Sequence, residues 1–100
     1  MELKKYSNTQ ILQMIGLRFK DYRLQAGLSQ EDLAKESGVS ISTIHKFETG
    51  VITNMNVTNL MALIRQIGLL NRFDDLLPEQ PENPYMTSYK QRIRRKRNEG

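Results

Sequence analysis

The chain has 100 residues, 38% of them apolar and 26% charged, which suits one small domain. It has no cysteine and a single histidine, which excludes disulfides and thiolate zinc sites and leaves little room for a metal cluster. The longest apolar runs are a few residues and the N-terminus lacks a secretory hydrophobic region, so we expect a soluble, cytoplasmic protein with no membrane contact.

The net charge of +4 is unevenly distributed along the chain. Residues 90–97, KQRIRRKR, hold six of the fifteen Lys and Arg residues. Residues 1–89 hold nine Lys and Arg against ten Asp and Glu, which leaves this part at −1. A basic surface is the usual electrostatic mark of a nucleic-acid-binding protein, and here only the C-terminal tail carries it.

The first predicted helix begins near Ser7 or Thr9, either of which can cap its N-terminus. It runs to about Ala26, where Gly27 ends it. Apolar residues at helical spacing predict a core stripe of Ile11, Ile15, Phe19, Tyr22 and Ala26. The same helix carries more apolar residues than one stripe needs, namely Leu12, Met14, Leu17 and Leu24. Either the helix is buried on two sides, or it contacts another subunit.

Two short helices on either side of a glycine are predicted next. The second helix begins at Ser29, with Asp32 as its capping-box partner, and ends at Gly38, since glycine most easily adopts the left-handed conformation of a bend. The third helix begins at Ser40 and runs to Thr49. This spacing is typical of a helix-turn-helix, in which the second helix of the motif enters the major groove of DNA.

Successive residues of a helix advance by about 100°, which divides the third helix into two faces. Ile44, Phe47 and Glu48 lie on the inward face. The opposite face carries short polar or cationic side chains suited to base edges, namely Ser42, His45, Lys46 and Thr49. Ile41 lies between the faces in the first turn, so it either contacts a thymine methyl group or covers the edge of the core. Taken alone, these polar residues are better explained as an ordinary solvated face, but the bend spacing favours DNA binding.

Two further helices and a tail complete the prediction. A loop at 51–56 ends in a capping residue, Asn54 or Asn56, and a fourth helix follows it. The apolar face of that helix is formed by Val57, Leu60, Met61, Ile64 and Ile67. A short fifth helix, ended by Pro78, has an inner side of Leu69, Phe73, Leu76 and Leu77. The sequence therefore predicts an all-α, five-helix domain at 1–77 and a Pro-containing linker and basic tail at 78–100.

The segment SQEDLAKESGVSISTIHKFETG, residues 29–50, resembles the helix-turn-helix of Cro and lambda-type phage repressors, the five-helix domain of the XRE group of bacterial regulators. The resemblance covers roughly residues 8–77 and rests on Ala34, Gly38, the Ile44 and Phe47 pair, and the FETG ending. Upstream, KDYRLQAGLSQ is similar to the family's first-helix ending. The resemblance implies a lambda-repressor-like DNA-binding domain that regulates transcription.

The resemblance also implies roles for individual residues. Base contacts are expected from Ser40, Ile41, Ser42, His45 and Lys46. Gln30 is expected to hydrogen-bond a DNA phosphate, and Arg23 and Glu48 match a structural pair that ties the first helix to the third. The loop after Gly50 departs from the family because it has no lysine or arginine. Phosphate contacts in and near it are therefore expected from Thr43, Thr49, Thr53 and Asn54. Ser37 stands where an aliphatic residue is usual, so looser packing is expected at the bend.

A helix of this size contacts only a few base pairs of double-stranded DNA. We therefore expect a homodimer on a palindromic operator, with recognition helices about 34 Å apart. The expected dimer surface is the fifth helix, with the end of the fourth or the surplus apolar face of the first. No catalytic arrangement is visible, because His45 has no partner cluster and Asp74 and Asp75 point to different helix faces. We expect no enzyme activity, no cofactor and no metal.

The basic tail admits three hypotheses. It is a solvated segment without a role, an arm that neutralises DNA phosphates, or a peptide captured by a partner protein. The arm hypothesis assigns phosphate contacts to Arg94, Arg95, Lys96 and Arg97. The partner hypothesis rests on LLNRFDDLLPEQPENPY, which is similar to antitoxins of the HipB kind and implies a HipA-like kinase toxin as partner. The arm and partner hypotheses are compatible.

Overall fold

The computed structural model describes residues 2–81, in which every regular element is a helix. A 3₁₀ turn at Leu3–Lys5 precedes five α-helices: α1 Asn8–Gln25, α2 Gln30–Ser37, α3 Ile41–Glu48, α4 Val57–Gln66 and α5 Arg72–Leu76. The all-α, five-helix fold predicted from the sequence is confirmed for this part of the chain. None of these helices is long and apolar enough to cross a membrane. The basic tail lies outside the described residues.

Capping side chains determine where the first four α-helices begin. Ser7 forms a capping box at α1, and Ser29 forms one with Asp32 at α2. Ser40 caps α3, and the Asn56 side chain accepts from the first turn of α4 at 2.7 Å. These short polar side chains satisfy N–H groups that have no partner within a helix, so each start follows from local sequence.

The core lies where α2 and α3 meet α1 and α4. Its buried apolar side chains are Phe19, Leu33, Val39, Ile44, Phe47, Ile52 and Leu63. The rings of Phe19 and Phe47 pack at a centroid distance of 5.4 Å and a tilt of 45°. Because α2 and α3 both contribute to this cluster, the helix-turn-helix is fixed by the core of the domain.

The buried face of α1 differs from the predicted stripe, of which only Phe19 is buried. Gly16 and Arg23 are buried with it. The physical reason is the close approach of α1 to α3, since a Cβ atom added at Gly16 would overlap the carbonyl oxygen of Phe47. The side chains of Leu17 and Leu24 are 53% and 56% exposed, so burial of α1 on two sides within one chain is wrong.

The apolar faces of α4 and α5 also differ from the prediction. Leu63 is the buried residue of α4, whereas Val57, at its first position, is exposed. Helix α5 buries no residue, and Leu76 and Leu77 are 69% and 82% exposed. Leu77 has left the helical conformation, as expected for a residue that precedes a proline, so α5 ends at Leu76.

Candidate nucleic-acid interface

Helix α3 has one buried side and one exposed polar side. Ile44 and Phe47 are fully buried, and Glu48 is nearly so. Ser42, His45 and Lys46 are exposed on the opposite side. The two faces predicted from the helical period are confirmed. This division allows the inner side to fix the pose of α3 while the outer side stays open to a ligand.

Two local features stabilise the bend between α2 and α3, a left-handed glycine and a side-chain hydrogen bond. Gly38 has a φ of 76°, in the left-handed region that glycine adopts at little cost. The Ser37 hydroxyl accepts a hydrogen bond from the backbone N–H of Val39 at 3.1 Å, and Val39 is buried. The bend therefore gains a hydrogen bond at the position where looser packing was expected.

A buried ion pair joins α1 to the end of α3. Arg23 Nε and Nη2 donate to the two carboxylate oxygens of Glu48 at 2.6 and 2.8 Å. Arg23 Nη1 donates to the carbonyl of Leu28 at 2.6 Å, so the turn before α2 is held by the same side chain. The hydrogen bonds to Glu48 raise the pKa of Arg23 above its ordinary value. Arg23 and Glu48 thus occupy the structural role that the resemblance assigned to them.

The predicted phosphate ligand Gln30 belongs to the same network. Its Nε2 donates to Glu48 Oε1 at 3.1 Å, and the side chain is half-buried at the first position of α2. The amide nitrogen carries two N–H donors, and this bond occupies one of them. Gln30 is thereby held beside α3 with one donor remaining.

The five predicted base-contacting residues lie along the start and the exposed side of α3. Ser40 is the N-cap; its hydroxyl accepts from the Thr43 N–H at 3.2 Å and donates to the Thr43 hydroxyl at 2.8 Å. Ile41, in the first turn, is 45% exposed. Within residues 2–81, no side-chain hydrogen bond restrains the remaining three residues, Ser42, His45 and Lys46.

The predicted phosphate-contacting residues other than Gln30 fall into three sets. Thr43, Thr53 and Asn54 line a cleft of about 340 Å³ between α3 and the segment after it, together with Lys46, Val51 and Ile52. We call this the α3–loop cleft. Thr49 lies apart, and its hydroxyl donates to the carbonyl of His45 at 2.8 Å, which occupies its only donor. Arg94, Arg95, Lys96 and Arg97 lie outside the described residues.

Sequence reasoning missed one residue behind this cleft. Gln13 Nε2 donates to the carbonyl oxygen of Ile52 at 3.0 Å, across 39 positions of the chain. The available signal was a lone amide in the apolar run ILQMIG, residues 11–16. A polar residue among apolar neighbours indicates a hydrogen bond in a half-buried place, but it does not identify the partner.

Comparison with known proteins gives one result. A helix-turn-helix family model matches residues 19–70, which is just over half of the chain and runs from the end of α1 to the segment after α4. No match was found among curated proteins or among solved structures. The matched residues include the Arg23 and Glu48 pair and the whole exposed face of α3. The chain therefore belongs to the helix-turn-helix family, in its XRE type, and is a DNA-binding regulator of transcription.

Proposed function

We propose that this protein acts in the cytoplasm as a homodimer that binds a palindromic operator in double-stranded DNA. Helix α3 lies in the major groove and presents Ser40, Ile41, Ser42, His45 and Lys46 to base edges. The observation that carries this proposal is the combination of a buried inner side with an outer side of short, exposed polar groups. Such a helix enters the groove in a fixed orientation and without steric obstruction.

The chemistry of the exposed groups suits direct contact with bases. The Lys46 ammonium donates to the guanine acceptors O6 and N7, and the Ser42 hydroxyl either donates or accepts. Ile41 contacts the methyl group of thymine, which is recognised by apolar contact. Ser40 contributes less as a donor, because its hydroxyl proton is already directed to Thr43.

Phosphate contacts position the complex along the DNA backbone. The Thr43 hydroxyl accepts from Ser40 and keeps its own proton to donate to a phosphate in the α3–loop cleft. Thr53 and Asn54 form the other wall of that cleft, and Gln30 donates its second amide N–H. Thr49 joins them only after its hydroxyl releases the carbonyl of His45.

An apolar groove away from α3 supports the dimer. It has a volume of about 320 Å³ and is lined by Ile15, Leu60, Ile64, Leu69, Arg72, Phe73 and Leu76. We call it the α1/α4/α5 groove. A second groove of about 240 Å³ adjoins it, and Tyr22 and Ile67 belong to its lining. Contiguous exposed apolar surface of this kind marks a site of protein association. The groove overlaps the expected dimer surface at the fifth helix, through Phe73 and Leu76, but its α1 residue is Ile15 of the predicted core stripe and not one of the surplus apolar residues.

Selection from random duplex DNA with the purified full chain tests the proposal. The expected product is an inverted repeat whose half-sites are one helical turn apart, about 10–10.5 base pairs. Changing Ser42 or Lys46 to alanine is expected to relax preference at particular positions, by about 1–3 kcal/mol each. Lys20→Ala, which removes an exposed cation from α1, is the control. If no DNA sequence is preferred, the proposed function is wrong. If the selected site is a single, unrepeated half-site, the proposed homodimer is wrong.

The basic tail is proposed to follow the DNA backbone as an arm. It would supply the positive charge that residues 1–89 lack, with Arg94, Arg95, Lys96 and Arg97 on phosphates. Deletion of residues 88–100 is expected to weaken binding to all sequences equally and to flatten the dependence of affinity on salt. An unchanged salt slope would eliminate the arm.

A competing proposal keeps DNA binding as autoregulation and adds neutralisation of a HipA-like kinase toxin. The exposed Leu76 and Leu77, at the junction with the linker, favour contact with another protein at this end of the domain. Co-purification with the product of an adjacent kinase reading frame would support this proposal. Purification of the chain without that product after co-expression contradicts it.

A further inference from the structure

Three residues on one face of α1 contact the end of α3 and the segment that follows it. Gln13 donates to the carbonyl of Ile52, and Gly16 lies against the carbonyl of Phe47. The Leu17 side chain lies 3.4–3.5 Å from where a Cβ atom of Gly50 would be. Positions 13, 16 and 17 share a face because they are three and four residues apart. Helix α1 is thus the support on which the C-terminal end of α3 rests.

Both backbone groups of Ile52, its N–H and its carbonyl, form hydrogen bonds. The N–H groups of Val51 and Ile52 both donate to the carbonyl of Lys46 at 3.2 Å, which ties the segment to α3. The Ile52 carbonyl accepts from Gln13, which ties it to α1, and its side chain is buried. Ile52 is therefore the fixed point from which Thr53 and Asn54 continue into the wall of the α3–loop cleft.

We propose that Gln13 is a positioning residue for DNA binding, and this inference rests on the proposed function. By holding the Ile52 carbonyl, Gln13 keeps Thr53 and Asn54 in the wall of the α3–loop cleft that faces Thr43, where the proposed function places a DNA phosphate. It touches no DNA itself. Without the Gln13 donor, the loop must be ordered when DNA binds, and the conformational entropy lost at that moment weakens the complex.

The test compares Gln13→Met with Gln25→Met in the full chain. Gln25 is an exposed residue at the end of α1, so its variant makes the same chemical change away from the cleft. Affinity is measured for the selected operator, for its single-base variants and at several salt concentrations, well below the Tm of each protein. Gln13→Ala, which removes the donor without adding apolar bulk, is the second variant.

Both Gln13 variants are expected to bind the operator about two- to tenfold more weakly, the equivalent of one neutral hydrogen bond. The loss should be the same factor on every single-base variant. The salt slope should stay that of the unmodified chain, because Thr43, Thr53 and Asn54 are uncharged and release no counterions, and Gln25→Met should bind as the unmodified chain does. A purely structural role would lower the Tm and leave the affinity of the folded protein for the operator intact.

Unchanged operator affinity in both Gln13 variants would overturn the inference while leaving the proposed function in place. A loss confined to particular base pairs would overturn it too, because it would place Gln13 in base recognition. Failure of the unmodified chain to select any operator identifies the other case, in which the proposed function itself is wrong.

Discussion

The α2–α3 side of the molecule and the α5 side are built differently. Helices α2 and α3 each begin with a side-chain cap, and the buried Glu48 at the end of α3 is paired with Arg23 of α1. Helix α5 has no side-chain cap and buries no residue. It exposes Leu76 and Leu77 beside an apolar groove. On the α2–α3 side the buried polar groups are paired within a single chain, whereas the α5 side leaves apolar side chains exposed to solvent.

This difference separates the two tasks of the proposed regulator. A DNA-contacting helix must keep its orientation before binding, because disorder in it would have to be removed at the expense of affinity. A surface that pairs with another protein stays open until the partner covers it, and its apolar area then supplies the association free energy.

The largest expected effect is on the buried ion pair. Glu48→Leu leaves the Arg23 guanidinium buried without its carboxylate and also removes the acceptor of Gln30. The free energy of unfolding, measured by urea denaturation, is expected to fall by about 3–5 kcal/mol. Arg23→Met combined with Glu48→Leu should recover most of the loss, because no unpaired charge remains. A double variant no better than the single one would show that the loss comes from packing.

The next effect is at the contact between α1 and α3. Gly16→Ala places a methyl group against the backbone carbonyl of Phe47, which cannot move away as a flexible side chain would. Overpacking of this kind destabilises by about 1–3 kcal/mol. Helix propensity alone would make the change stabilising by about 0.8–1 kcal/mol, so the sign of the shift in Tm distinguishes the two. A raised Tm would mean that α1 and α3 are less closely packed than described.

Sequence alone predicted the features that depend on near neighbours. Each N-cap acts on N–H groups two or three residues away, and the inward face of α3 follows from its own period. The left-handed bend at Gly38 is also local, since only glycine adopts it cheaply. These features position the candidate interface, and this explains why its exposed face was predicted correctly.

The features that sequence did not predict depend on distant partners. Helix α1 has apolar residues on every side, so its period does not identify the buried face. That face is determined by Gly16, through its approach to Phe47, and by Arg23, through Glu48, 25 positions away. The bond from Gln13 to Ile52 is a contact of the same long-range kind. The exposure of Leu76 is also not a local property, because it depends on how α5 packs against the other helices.

The smallest effect on stability, and the most informative about the open side, is expected at the end of α5. Leu77→Ser changes a residue that is 82% exposed, so the free energy of unfolding of the monomer should shift by no more than about 0.5 kcal/mol. Sedimentation velocity should nevertheless show a weaker dimer for Leu76→Ser, because Leu76 lines the α1/α4/α5 groove, and for Leu77→Ser, because Leu77 follows it as an exposed apolar residue at the end of α5.

Val57→Ser is the matched control for these two variants. Val57 is 60% exposed at the start of α4 and does not line the groove, so its variant should dimerise as the unmodified chain does. Equal dimerisation of all three variants would move the subunit contact elsewhere on the molecule. A selective loss in the two leucine variants, with operator affinity falling alongside it, would tie the apolar groove to DNA binding through dimerisation, because both half-sites are then no longer occupied together.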